Sequence, residues 1–345
     1  MFYAKNGALN AKIMAIRGRL LTREDYARLA ACRTVREIVY KMADNPVYAK
    51  YFSGLDVEKA RRGAIERRLL FALSEEFERI YTFIGDHRIR GYMDAFFLRD
   101  EIEVLKLILN TIYDRRDIEY TVPELTSLLG KKIKTDVGKL IKSASIEEFL
   151  ENLKDTDFYP VLAKKYRNET PTLFELEFEL DLYYFLHLDS LTKKYLDGEN
   201  KKAMLYINGS EVDLKNIMWT YRLKKYYDID ATAVYAFLIP LNYRLKKNAL
   251  TKMAECKTLE ELDAEIDASP YGRNFADKAR VERGYYDARI RMFSLAQQLY
   301  PGTMAGVAAH IFFRELEIKN ITSLIEGVRY GLKPEEVMEF VMCRR

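Results

Sequence analysis

The chain has 345 residues, 49% of them hydrophobic and 31% charged, with 56 basic and 52 acidic residues and a net charge of +4. That balance excludes a disordered chain, and with the signs interleaved it leaves only a weak electrostatic footprint for nucleic acid. The longest apolar run, Ala233 to Ile239, is far short of the ~18 residues a membrane helix needs, so no transmembrane helix is expected.

The first 23 residues carry Lys5, Lys12, Arg17, Arg19 and Arg23 and no acid. They lack the apolar core and cleavage site of a signal peptide, although a mitochondrial presequence shares their pattern. Leu9, Ile13, Ile16 and Leu20 line one face of a basic amphipathic helix. Two readings stay open for it: a first helix packed on the body, or an interface in which Lys12, Arg17 and Arg19 meet a membrane surface. Thr22-Arg23-Glu24-Asp25 then caps a helix through Ala31, and Thr34 starts the next. A long helical stretch runs from Glu58, breaks near Gly85 and Asp86, and resumes at Ile89 to carry Glu101 through Tyr113. Thr121 to Glu124 opens a short helix that stops at Gly130.

One local conflict follows. Phe174 to Asp181 alternates apolar and acidic residues as a strand would, yet Thr170-Pro171 is a helix start and no partner strand exists, so a helix is expected. Ser210 to Asp213 can cap the next helix afresh, and the last long helix runs from Thr303 to Tyr330. Gly331 suits the left-handed residue that ends it, and Pro334 with Glu335 and Glu336 opens a short helix beyond.

Two signatures recur in step. Glu315-x-Glu317-x-Lys319-Asn320-Ile321 matches Glu211-x-Asp213-x-Lys215-Asn216-Ile217 and, more weakly, Glu101-x-Glu103-x-x-x-Leu107. Thr34, Ser145 and Thr258 each begin a capping box completed by Glu37, Glu148 and Glu261, with a tyrosine after it at Tyr48, Tyr159 or Tyr271. The boxes are 111 and 113 residues apart and the helix motifs 110 and 104, so one unit of roughly 110 residues is used three times. The expected domains are residues 1–118, 119–231 and 232–345.

Catalytic equipment is missing from this pattern. The chain has no phosphate-binding glycine loop, no dinucleotide fingerprint and no zinc-protease motif, and Cys32, Cys256 and Cys343 lack metal-ligand spacing. Cys32, Ser143 and Cys256 share one position, two residues before each box, which asks for a small side chain rather than a thiol. The scattered cysteines fit a reducing compartment. His87, His187 and His310 fall at different points of the unit, so no active site, cofactor or metal is expected. Asn216 and Asn320 stand mid-helix at equivalent positions, where asparagine is a mediocre helix former; a side-chain bond that fixes the packing of the corner accounts for them. With Glu211, Glu315, Thr34, Ser145 and Thr258 they form the candidate repeat-packing set. Lys224, Lys225, Arg115 and Arg116 favour the helix dipole near motif-helix ends, and 25 tyrosines are enough to supply a contact surface.

The two Glu/Asp-x-Lys-Asn-Ile runs, the Gly331-Leu332-Lys333-Pro334 corner, the three boxes with their tyrosines, and Arg17-Gly18-Arg19-Leu20-Leu21 resemble, in that order and over nearly the whole chain, the C subunit of V-type and archaeal-type ATPases, called subunit d in eukaryotes. The resemblance departs at Leu105-Lys106, which stands for Lys-Asn, and at Tyr227-Asp228, which stands for Gly-Leu. It implies an all-α funnel of three similar helical domains about a pseudo-threefold axis, peripheral on the cytoplasmic face of the membrane. It implies too a non-catalytic rotor adaptor whose partners are the central stalk and the proteolipid ring. The rival from another class is a helical nucleic-acid-binding protein, suggested by the basic N-terminal stretch and the aromatics.

Overall fold

The computed structural model describes residues 7–55, 62–115, 122–129, 135–166, 171–227 and 229–343. Expectations placed on Lys5, Glu58, Arg116, Thr121, Gly130, Thr170 and Asp228 lie outside these residues. Every regular element among the described residues is helical, so the fold is all-α. In chain order these are α1 Gly7–Arg17, α2 Arg23–Ala30, α3 Val35–Asp44, α4 Ala49–Phe52, α5 Arg62–Thr82, α6 His87–Tyr113, α7 Val122–Leu129, α8 Val137–Leu140 and α9 Ile146–Asn152. They continue with α10 Phe158–Tyr166, α11 Leu173–Tyr195, α12 Gly198–Tyr227, α13 Ala231–Ala236, α14 Lys247–Glu255, α15 Leu259–Ala268, α16 Val281–Leu299, α17 Met304–Arg329 and α18 Pro334–Glu339. None of the described helices is long and apolar enough to cross a membrane.

Local chemistry explains where these helices start. The Thr34, Ser145 and Thr258 hydroxyls accept from the N–H of Glu37 (3.2 Å), Glu148 (3.3 Å) and Glu261 (3.2 Å). Each glutamate turns back to the residue just before the cap, accepting from the N–H of Arg33 at 2.9 Å, Ala144 at 2.8 Å and Lys257 at 2.7 Å. Four orphan donors burden each helix start; the hydroxyl satisfies one of them and the glutamate secures the N–H just outside the helix, with one repeated sequence pattern. At the far end of α17, the Gly331 N–H reaches the Val328 carbonyl and the Leu332 N–H reaches that of Gly327, both at 3.0 Å. Gly331 takes φ 71°, which a residue without Cβ adopts at little cost. Arg115 takes the same left-handed conformation, φ 52°, just past the end of α6.

The helix expected over Phe174 to Asp181 is found, while the expected cap at Ser210 is corrected. The alternating stretch from Phe174 to Asp181 lies inside α11, and its helix is capped one residue past the expected Thr170-Pro171 start, by Thr172 and Glu175 bonding reciprocally at 2.8 and 3.3 Å. Leu176 and Leu180, a turn apart, enter one core while buried Phe178 faces elsewhere, so two covered faces of a helix mimic a strand's period. Nor does a fresh helix begin at Ser210 to Asp213, because α12 runs through them unbroken and the Asp213 carboxylate serves a distant segment.

The chain divides into two compact units, residues 1–184 with 310–343 and residues 185–309. The first unit has two cores. One joins α2, α3 and the start of α5 to Ile318, Ile321, Leu324 and Ile325 of α17 and Val337 of α18. The other joins Ile102, Leu105, Ile108 and Leu109 of α6 to the box region Val137 to Leu162 and to α11. In the second unit Leu214, Ile217, Met218 and Tyr221 of α12 pack on Leu245 to Phe275. Each motif helix therefore buries its stripe against the capping box that follows it in cyclic order, the third closing on the first.

Candidate functional site

An apolar stripe gains from burial only if the polar atoms beside it find partners, and at each of these contacts one acid does the satisfying. Glu101 is 5%, Asp213 0% and Glu317 2% exposed. Glu101 accepts from the backbone N–H of Thr135 at 3.0 Å and from its hydroxyl at 2.9 Å. Asp213 accepts from the N–H groups of Arg244 (2.8 Å), Leu245 (2.9 Å) and Tyr243 (3.3 Å) and from the Tyr271 hydroxyl (2.8 Å). Glu317 accepts from the Leu21 N–H and the Tyr48 hydroxyl. Thr135, Leu245 and Leu21 are equivalent, each standing immediately before the N-cap of the short helix ahead of a box: Asp136 for α8, Lys246 for α14 and Thr22 for α2. One carboxylate thus pins the entry of the next unit to the motif helix.

Asn216 and Asn320 lie one turn on from two of these acids. Asn216 donates to the Ile239 carbonyl at 3.1 Å and accepts from the Ile239 N–H at 2.9 Å. Asn320 makes the same pair with Met342, at 2.7 and 2.9 Å. An amide that offers donor and acceptor together matches one peptide group of a passing chain, and both sites are buried. Val104 holds the corresponding place in the first copy, three residues beyond Glu101.

This geometry shifts the register of the first copy by two residues. Glu101, not Glu103, is the counterpart of Asp213 and Glu317; the Glu103 side chain is 64% exposed. Leu105, 1% exposed, then matches Ile217 and Ile321, and Arg115 falls where the third copy has Gly331. Glu211 and Glu315, two residues before the buried acids, make partly exposed ion pairs instead, with Arg289 at 2.8 Å and with Arg99. Tyr48 and Tyr271 are the box tyrosines that reach an acid, whereas Tyr159 is half-buried and Phe158 beside it fills the core at 1% exposure. Burial pushes both the Asp213 and Glu317 carboxyls up from the ordinary range, against the donors and, for Glu317, the Arg314 guanidinium that pull them down. Burial, and then the adjacent carboxylate, drives the Tyr48 and Tyr271 hydroxyls above their usual value, so they donate at any physiological pH.

Residues that sequence periodicity passed over enter here. Arg314, 2% exposed, lies with its guanidinium 4.8 Å from the centre of the Tyr48 ring, donates to the Tyr48 hydroxyl at 3.0 Å, and pairs with Glu317 and, at 3.2 Å, with Glu76. His310 Nε2 meets the other oxygen of Glu76. At the N-terminal stretch Leu9 and Ile13 are buried and Lys12 Nζ stands 3.4 Å over the Phe83 ring, while Arg19 is exposed and Arg17 half-buried. Cys32 and Cys256 are buried and point their thiols at the carbonyls of Arg28 and Lys252, four residues back. Among the described residues no group of histidine, cysteine and acid side chains has metal-site geometry.

The three buried carboxylates spend their acceptor capacity on backbone N–H, hydroxyl and, at Glu317, guanidinium donors at the junctions of an all-α fold. The family described as ATP synthase (C/AC39) subunit matches residues 9–340, and the chain belongs to that family, a non-catalytic accessory component of a rotary ATPase. It is similar to the C subunit of the A-type ATP synthase of Methanosphaera stadtmanae, 25% identical over 96% of this chain and 86% of the relative. The C subunits of the A-type ATP synthases of Desulfurococcus sp. and Pyrococcus horikoshii are 23% and 25% identical, over 96% of this chain and 88% and 89% of theirs.

Proposed function

We propose that the chain is the rotor adaptor of its ATPase, linking the central stalk to the proteolipid ring and transmitting torque for ATP-coupled proton or sodium transport. It sits peripherally, on the cytoplasmic face, as three similar helical domains, residues 1–118, 119–231 and 232–345, arranged as a funnel. The observation that carries this reading is the cyclic set of junctions, each motif helix buried against the following box and pinned to it by a buried acid. Torque loads every seam of a coupling element, and a seam of desolvated hydrogen bonds backed by packed apolar side chains resists sliding better than exposed ion pairs do.

Purification of the tagged chain from native membranes, followed by mass spectrometry, tests the reading. Co-recovery of stalk and proteolipid components is the expected result. Recovery of RNA that dissociates steeply with salt, without those components, would favour nucleic-acid binding and overturn it. Lys12, Arg17 and Arg19 are the proposed membrane-facing charges; with Lys12 placed over Phe83, charge reversal at the exposed Arg19 is the cleaner probe, expected to weaken rotor association in a salt-sensitive way.

A further inference from the structure

The three junctions are built alike in backbone and differently in charge. In the second copy the segment pinned by Asp213 and Asn216 is one continuous stretch, Ile239 to Leu245. In the third the same two roles fall to Met342 and to Leu21, far apart in sequence. That junction alone carries a buried cation three residues before its acid: Arg314 stands where the other copies have Ser210 and Leu98. Glu76 and His310 extend the cluster, so Glu317 and Glu76 face Arg314 across α17 and α5, and His310, 1% exposed, lies on Glu76 with its Nδ1 buried and without a hydrogen-bond partner.

We propose that this third junction is an acid-sensitive latch: protonation of Glu76 strands the buried Arg314 and His310 and releases the segment from Leu21 to Phe52 from α17, while the other two junctions hold. The asymmetry follows from charge balance. Protonating Asp213 or Glu101 removes an acceptor from N–H and hydroxyl donors but leaves no buried cation behind. Glu76 holds its charge to lower pH than Glu317, so protonating it takes the last counter-charge from a guanidinium with 2% exposure, and an unpaired buried charge is among the costliest groups a protein can hold. The remaining titratable groups facing the cluster do not replace that charge. Tyr48, and Tyr26 on α2, are held protonated by burial, and Arg79 of α5 adds positive charge.

The sign agrees. Burial alone would raise Glu76, but the hydrogen bond from His310 and the charge of Arg314 prevail and hold it below the carboxylate norm of 4.5. A depressed carboxyl contributes stability above its unfolded value and loses it as pH falls through the folded one. Glu317, raised by burial, protonates before Glu76 and leaves Glu76 as the last counter-charge of Arg314, whereas Asp213, also raised, favours the fold as it protonates and has no buried cation to strand.

Hydrogen exchange read by mass spectrometry on the full chain from pH 7 down to pH 3.5, corrected for intrinsic rates, tests the latch. Protection in residues 21–52 is expected to fall about tenfold further than in residues 239–275, before helix content changes. Loss of both regions at one pH would overturn the proposal. As a second arm, Glu76→Gln should loosen residues 21–52 already at pH 7, and Glu76→Gln with Arg314→Met should restore protection there and abolish the acid step. Persistence of the step in that double variant, with its fold confirmed by circular dichroism, would equally refute it.

Discussion

Asp213 offers the sharpest separation between what a buried acid contributes by charge and what it contributes by accepting hydrogen bonds. In Asp213→Ala, the N–H groups of Tyr243, Arg244 and Leu245 and the Tyr271 hydroxyl lose their acceptor at a site with 0% exposure. At the low end of about 1 kcal/mol per stranded buried donor the gross cost is about 4 kcal/mol, and relief of carboxylate desolvation brings the expected net to about 3 kcal/mol. Asp213→Asn should behave differently. Its amide oxygen can take the place of Oδ2, which serves Arg244, Leu245 and Tyr271, leaving only the long 3.3 Å contact from Tyr243 against an NH₂ group, so about 1 kcal/mol is expected. Urea denaturation followed by fluorescence measures both, because Trp219, the single tryptophan, lies on α12 and reports the unit that Asp213 holds. Equal midpoints for the two variants, or an alanine variant within about 1 kcal/mol of wild type at unchanged m, would refute the account of the acid as a backbone anchor.

Three further outcomes are expected. Thr34→Ala, Ser145→Ala and Thr258→Ala should each cost about 0.5–2 kcal/mol, since each removes the acceptor for one helix-end N–H at 3.2–3.3 Å; three unchanged melting curves would undo the equivalence of the boxes. Arg115→Gly should stabilise by up to ~1 kcal/mol, because φ 52° strains a residue with a Cβ, and a lower melting temperature would show that the side chain contributes contacts outweighing that strain. Asp100→Asn should flatten the dependence of stability on pH between roughly 4 and 7 and leave the variant the more stable at pH 8. Burial first, then the neighbouring Glu315 and Glu103, lifts the Asp100 carboxyl to about 7 despite Arg99; a folded value above the unfolded one means stability is lost as pH rises through it. A third of that side chain meets solvent, which keeps the effect below ~1 kcal/mol, and an unaltered pH profile would rule it out.

Helix starts and the repeat were legible in the chain itself, because capping is settled within a span of about four residues, where a hydroxyl, a glutamate and two N–H groups meet whatever the rest of the fold does. That is why Thr34, Ser145 and Thr258, the Gly331 corner and the mid-helix Asn216 and Asn320 could be singled out in advance. Which acid of each motif goes inside could not be. Glu315 and Glu317 are two residues apart, hence about 200° around the helix, and with apolar neighbours on either side nothing local says which face is covered. The wrong choice also set the first copy two residues out of register. The partners that decide the matter lie across long separations, Leu21 being 296 residues from Glu317 and Thr135 34 from Glu101. Only packing brings those backbone N–H groups to the motif helices, and only then do Arg314 and Glu76 acquire the low-dielectric surroundings that make their charges count.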